Sequence, residues 1–405
     1  MIHEKNYLIF LILLVSISII ILFFPNKNIS ERLTNSNNQD IIIKSILVIK
    51  ESKFSITQLN SPNLENTNKD IIASGIMALI CPDEKNNKNC YTTYDTGSPY
   101  FVTKTQTSCK QGITYNINYI TGMEQLQAIN YNLVYTSINN KQNKLNLNIG
   151  NVCSTKGSSG GNIGNLMGVG PSKIEKYAPL PIINQVNKRF IFWFVNPDIQ
   201  QNKLKLGLTN AIVGFISQLP TPNKFFKRES SNINTITMNM LTGFYGWAIN
   251  SSIKIGDKQI NNADIVFDTG NSVGVTLSQV GLKYKRYISN TFSISINNYK
   301  INVKNQNFGV IENSSSNKTP NISLGLPLLI RMMYGMAYDK KAGKLYMWAR
   351  KDAIQNNYDS TNRTTTTTKM PVTTTKMPVT TTKMPVTTTK MPVTTTKMPV
   401  INNKK

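Results

Sequence analysis

Tyr94-Asp95-Thr96-Gly97-Ser98 and Phe267-Asp268-Thr269-Gly270-Asn271-Ser272 are two copies of one short pattern. Each places an aromatic residue before Asp-Thr-Gly and a hydroxyl-bearing residue soon after it. At background usage a given tripeptide is expected roughly once in several thousand positions, so one copy carries little weight. Two copies 173 residues apart (268 − 95) carry much more. An acid on a tight glycine turn, once per half of the chain, predicts two similar lobes that each lend one carboxylate to a shared site. Two carboxylates held close cannot both ionise easily, so one keeps a proton while the other acts as a base. Such a pair can activate water without a metal.

Composition narrows the alternatives. The chain has 405 residues, enough for a large core and more than one ordinary domain. Its formal charge is +25, but the lysines are scattered among asparagines and not massed with aromatics, so no nucleic-acid partner is predicted. His3 is the only histidine, and it precedes an apolar run. A Ser-His-Asp triad, a Cys-His pair and a His-Glu-x-x-His zinc site are thereby excluded from the main body. No Gly-x-x-x-x-Gly-Lys-Ser/Thr phosphate loop occurs. Carboxylates remain among the common hydrolytic devices, with no metal and no cofactor expected.

Taken in order, residues 1–6 read as a cytoplasmic stub. Tyr7 to Phe24 is an uncharged apolar run of 18 residues, just long enough to span a bilayer. It ends Leu22-Phe23-Phe24-Pro25 with no small-residue cleavage site, which favours an uncleaved signal anchor over a removed signal peptide. A single-pass membrane protein with its body in the secretory lumen or outside the cell is the resulting expectation. Residues 25–70 read as a linker or prosegment, in which Ile41-Ile42-Ile43 and Ile46-Leu47-Val48-Ile49 could equally be a first strand of the folded body.

From Ile71 onward short apolar runs alternate with turn residues, which predicts an all-β body over 71–350, with lobes at about 71–190 and 191–350. Ile71 to Ile80 and Tyr91 to Asp95 look like hairpin arms, with Cys81 and Cys90 at the feet of a polar loop. Four cysteines allow three pairings; Cys81–Cys90 with Cys109–Cys153 is preferred, and four free thiols in a reducing compartment is the alternative. Ile113 to Gly122 alternates and then turns, suiting a hairpin that projects over a cleft. Leu166-Met167-Gly168 follows the first Asp-Thr-Gly, and Ser323-Leu324-Gly325 follows the second.

These motifs resemble those of the pepsin-like aspartic proteases over about residues 71 to 350. The resemblance implies a bilobal all-β fold with pseudo-twofold symmetry and a cleft between lobes. It implies Asp95 and Asp268 as the catalytic pair, supported by Thr96, Gly97, Ser98, Thr269, Gly270 and Ser272. Leu166-Met167-Gly168 and Ile322-Ser323-Leu324-Gly325 are similar to the strands that cross beneath the catalytic loops. Asn118-Tyr119-Ile120-Thr121-Gly122 resembles the flap, with Tyr119, Thr121 and Gly122 as its substrate-facing positions. Arg331 to Trp348 resembles the closing strands. The activity implied is that of a monomeric endopeptidase acting on a polypeptide substrate. Asn271 stands where the family usually carries Thr or Ser, Phe101-Val102 replaces the tryptophan expected after the first motif, and the interval from Asp95 to Tyr119 is shorter than is common.

Residues 351–405 form a polar tail that repeats Lys-Met-Pro-Val-Thr-Thr-Thr from Lys369 to Val400, a composition that cannot bury a core. It reads as a glycosylated stalk or as an unmodified spacer. Sequons at Asn28, Asn250, Asn313, Asn317 and Asn362 accord with a lumenal glycoprotein. Two alternative functions remain: a pepsin-fold binding protein with a weak or inactive pair, suggested by Asn271, and a surface attachment protein, suggested by the anchor and tail.

Overall fold

The computed structural model describes residues 39–53, 69–81, 91–105, 108–110, 113–119, 122–156, 165–196, 207–226, 233–278, 285–313 and 321–356. The apolar run Tyr7 to Phe24, Cys90, Thr121 and the threonine-rich repeat lie outside these residues. Among the described residues no helix is long and apolar enough to cross a membrane.

The described chain is built almost wholly of strands, in one fourteen-stranded and one seven-stranded sheet. Six strands of the larger sheet join the two halves in a palindromic order. On one side the succession inward is Ile41–Lys53, Gly207–Ile216, Phe190–Val195; on the other it is Ile233–Asn239, Lys344–Arg350, Met333–Asp339. Each half thus opens with its outer strand and closes with its inner pair. The seam is an antiparallel ladder from Phe190 opposite Asp339 to Phe194 opposite Gly335.

Sequence explains which strands take the seam. Phe190–Val195 (FIFWFV) and Met333–Asp339 (MYGMAYD) are buried at every position, because layers cover both their faces. The outer strand Ile233–Asn239 alternates at its end between buried Ile236 and Met238 and exposed Thr237 and Asn239, as a one-sided strand should. Gly335 is required where the seam is tightest: a Cβ there would sit 2.2 Å from the Trp193 carbonyl oxygen.

Three expected boundaries need correction, one of them at the tail: residues 351–356 belong to the folded body, where Ile354–Asn356 pairs antiparallel with the start of Tyr299–Asn313 and Ala353 is buried. Ile41–Lys53 is no linker; it pairs with Gly207–Ile216 on one side and Lys69–Ala78 on the other. The division between lobes also falls later than residue 190. Phe190–Val195 and Gly207–Ile216 hold the places in the first half that Met333–Asp339 and Lys344–Arg350 hold in the second. The halves therefore meet between Ile216 and Ile233. An unbroken apolar run carries no mark of which half owns it.

Beyond the seam each half builds the same device. In the first, Thr92–Asp95 lies parallel to Leu166–Gly168, which is flanked antiparallel by Phe101–Thr103. In the second, Lys258–Asp268 lies parallel to Asn321–Gly325, flanked antiparallel by Val275–Ser278. Long hairpins extend the sheet beside both devices, Gly122–Thr136 with Gln142–Lys156 and Lys285–Ile296 with Tyr299–Asn313.

Candidate active site

Both Asp-Thr-Gly turns leave their strands at the same register. Asp95 pairs with Gly168, and Asp268 pairs with Gly325. These glycines pass directly beneath the turns, which leaves no room for a side chain. A Cβ on Gly168 would lie 2.5 Å from the Tyr100 carbonyl oxygen, and one on Gly325 would lie 1.6 Å from that of Val273. The glycine is therefore a steric requirement: buried Met167 and Leu324 anchor the two strands, and the glycine after each lets the loop cross.

The turns face one another through their threonines and glycines. Thr96 Oγ1 donates to the Phe267 carbonyl at 2.6 Å and Thr269 Oγ1 to the Tyr94 carbonyl at 2.8 Å. Each backbone N–H of the pair donates to the opposite threonine hydroxyl at 3.1 Å. All four bonds cross between halves and all are buried. A Cβ on Gly97 would lie 2.5 Å from Asp268 Cγ, and one on Gly270 would lie 2.5 Å from Asp95 Cγ. Each carboxyl thus rests against the other turn's glycine, and this places the two acids face to face.

Their surroundings differ. Asp95 is buried, and its Oδ1 accepts the Gly97 N–H at 2.7 Å. Asp268 is half-buried; its Oδ1 accepts the N–H groups of Gly270 and Asn271 at 3.0 and 3.1 Å, and its Oδ2 accepts the Ser323 hydroxyl at 3.2 Å. Removal from water pushes the Asp268 carboxyl well above the usual carboxylate range, and the charge and hydrogen bond of Asp95 push the same way. The Ser323 hydroxyl and the Gly270 N–H oppose that rise. Among the described residues the hydroxyls of Ser98 and Ser272 make no hydrogen bond, and Ser272 is exposed.

The flap hairpin forms as Tyr115–Tyr119 against Gly122–Thr136, with Tyr119 paired to Gly122 at its tip. The side chain of Tyr119 lies outside the described residues. Cys109 and Cys153 are bonded, with Cα atoms 5.7 Å apart. Cys81 is also in a disulfide, and Cys90, the partner expected for it, lies outside the described residues.

Sequence reading missed two contacts beside the pair. The indole of Trp247, wholly buried, donates to the Val169 carbonyl at 3.1 Å, while its backbone N–H donates to the Thr96 carbonyl. Glu175 accepts the Tyr115 hydroxyl at 2.9 Å and the Tyr245 hydroxyl at 3.2 Å, tying the base of the flap to the second half. Burial and the bond to Glu175 raise the Tyr115 phenol above its ordinary value. Nothing in the local sequence marks these partners, which lie 60 or more residues apart.

No family model and no curated protein matches the chain. Among solved structures it is similar to the crystal structure of the aspartic proteinase from Irpex lacteus, with a TM-score of 0.51 and 11% sequence identity. The match covers 77% of this chain and 98% of that one. At such identity the likeness is one of architecture, and it agrees with the two sheets and the palindromic seam: this chain has the bilobal, all-β, pepsin-like fold.

Proposed function

We propose that the chain is an aspartic endopeptidase whose reacting groups are Asp95 and Asp268. The observation that carries this reading is the crossed packing of each carboxyl on the opposite Asp-Thr-Gly glycine, locked by four buried threonine bonds. The pair shares one proton. Its ionised member takes a proton from a water as that water attacks the peptide carbonyl, and its protonated member hydrogen-bonds the oxygen on which negative charge develops. The flap hairpin closes over the substrate. Asn271, the residue that suggested an inactive relative, does not weigh against catalysis, because Ser323 supplies a hydroxyl to the same carboxyl.

The apolar run Tyr7 to Phe24 supports a membrane tether, and the oxidised Cys109–Cys153 pair supports an oxidising compartment for the body. The repeat of Lys-Met-Pro-Val-Thr-Thr-Thr supports a stalk or spacer role for the tail.

Cleavage of a generic protein substrate across pH tests the function. The rate should be bell-shaped with an acidic optimum, since only the singly protonated pair works. Asp95→Asn and Asp268→Asn should each abolish cleavage, and the double variant should be no worse than either. Near-normal turnover by one single variant would defeat the shared-proton mechanism.

A further inference from the structure

The second Asp-Thr-Gly is followed by Asn271, which has no hydroxyl, yet Asp268 Oδ2 accepts one at 3.2 Å, from Ser323. Ser323 comes from a different strand, Asn321–Gly325, two positions before the glycine that passes beneath the turn. In the first half the equivalent position is Leu166, a buried apolar residue, so the symmetry of the fold does not demand a hydroxyl there. Asn271 itself reaches over that strand. Its Nδ2 donates to Ser323 Oγ and to Thr276 Oγ1, both at 3.1 Å, and Ser323 and Thr276 are direct cross-strand partners. Its Oδ1 accepts the Val273 N–H at 2.8 Å. A backbone N–H can only donate, so this bond fixes which end of the amide faces Ser323. With the amide N–H on its acceptor side, the single proton of Ser323 is left for Asp268.

We propose that Ser323, aimed by Asn271, is a positioning residue that holds Oδ2 of Asp268 in place of the hydroxyl missing at position 271. This inference rests on the endopeptidase reading for its effect on rate, and on geometry alone for its effect on ionisation. Oδ1 is already held by two backbone N–H groups, whereas the hydroxyl that reaches Oδ2 is that of Ser323. Losing it frees the carboxyl to rotate against Asp95 and makes its charge harder to hold. The support is one-sided, since the Ser98 hydroxyl makes no matching bond to Asp95. The two acids of a symmetric fold are thereby made unequal by positions at which the two halves differ, Asn271 against Ser98 and Ser323 against Leu166.

The test uses the full-length protein with Ser323→Ala, Ser323→Thr, Asn271→Ala and the Ala/Ala double variant. A donor to the charged carboxyl favours ionisation, so Ser323→Ala should move the alkaline limb of the pH–rate profile up by about one unit. KM should stay near its original value, because Ser323 touches no substrate. Ser323→Thr should restore the limb. Asn271→Ala should move it the same way by less, and the double variant no further than Ser323→Ala, because Asn271 acts through the serine. An unmoved limb in an active Ser323→Ala protein overturns the proposal. Denaturation of the same variants across pH gives a second readout that needs no activity. The stability lost in Ser323→Ala should be small in strong acid, where both carboxyls carry protons, and grow as pH rises through their titration. A loss independent of pH would make Ser323 a packing residue only and overturn the proposal. If the unaltered protein cleaves nothing, the endopeptidase reading fails, and this second readout still decides the tie between Ser323 and Asp268.

Discussion

Arg189 closes a forked ion pair on Asp339 across the end of the seam, with Nη2 2.6 Å from Oδ2 and Nε 3.0 Å from both carboxylate oxygens. Asp339 is wholly buried and also caps the turn that follows it, accepting the N–H groups of Lys341 and Ala342. Burial pushes this carboxyl up, but Arg189 and the two backbone donors outweigh it and hold the group below its ordinary value. A lowered carboxylate adds stability above its unfolded pKa and loses it as pH falls through the folded one. Asp339→Asn should therefore cost about 2 kcal/mol at neutral pH, discounted for the exposed side of Arg189. The gap between variant and wild type in urea denaturation should persist into mild acid and close only as pH falls below the ordinary aspartate range. A gap that vanishes by mild acid would mean that Asp339 is not held ionised.

The reciprocal threonine bonds bear on how the two turns stay together. Thr96→Val keeps the shape but removes the buried hydroxyl that the Thr269 N–H and the Phe267 carbonyl both bond. Each orphaned group costs roughly 1–3 kcal/mol, so a loss of about 2–5 kcal/mol is expected. Thr96→Ser, which keeps the hydroxyl, should fall far less. Equal losses for Val and Ser would assign the effect to the methyl group.

Gly97→Ala puts a methyl group where the Asp268 carboxyl lies, at 2.5 Å. The carboxyl must move, and misplacement of a reacting group by about 1 Å costs on the order of 100-fold in rate. The kcat of purified Gly97→Ala measures this directly. Turnover close to the original would place the Asp268 carboxyl further from Gly97 than 2.5 Å packing allows.

Glu124 lies on the long flap strand, opposite Ile117 and Thr155, and is 2% exposed. Neither carboxyl oxygen has a hydrogen-bond partner, and burial raises its pKa. A raised carboxyl contributes its full stability below the unfolded value and loses it as pH climbs, so the hairpin should be best held in acid, where the proposed chemistry runs. Glu124→Gln should match the wild type below about pH 4 and exceed it by about 1 kcal/mol at neutral pH. A difference that does not vary with pH would show that Glu124 does not titrate with folding.

Legibility in the sequence followed the range of each interaction. Asp-Thr-Gly and apolar-apolar-Gly could be read because their chemistry is local: the turn needs its glycine, and the strand beneath needs a residue without Cβ. The role of Ile41–Lys53 stayed open because an apolar strand and an apolar prosegment share one pattern. The expected boundary at residue 190 failed because Phe190–Val195 is apolar throughout, and periodicity is lost when both faces are covered. Ser323 was legible only as a member of an apolar-Gly strand. Its hydroxyl gains meaning from Asn271, which lies 52 residues away and approaches through space. The clasp of Glu175 on Tyr115 and Tyr245 is likewise a product of folding.

The palindrome of the seam has a consequence for the ancestry and the integrity of the chain. Each half offers its neighbour one fully buried strand in antiparallel register, which is how two identical subunits meet about a twofold axis. The protein is in this sense a dimer written as one polypeptide. A half released by a cut between Ile216 and Ile233 would carry an uncovered edge, FIFWFV or MYGMAYD, with no charged residue before its last position to guard it. Such a half would add a second copy of itself or aggregate, and a self-paired half would hold two identical aspartates across its axis. The distinction between Asp95 and Asp268 is then what covalent fusion made available: only in a single chain can one acid acquire a serine that the other lacks.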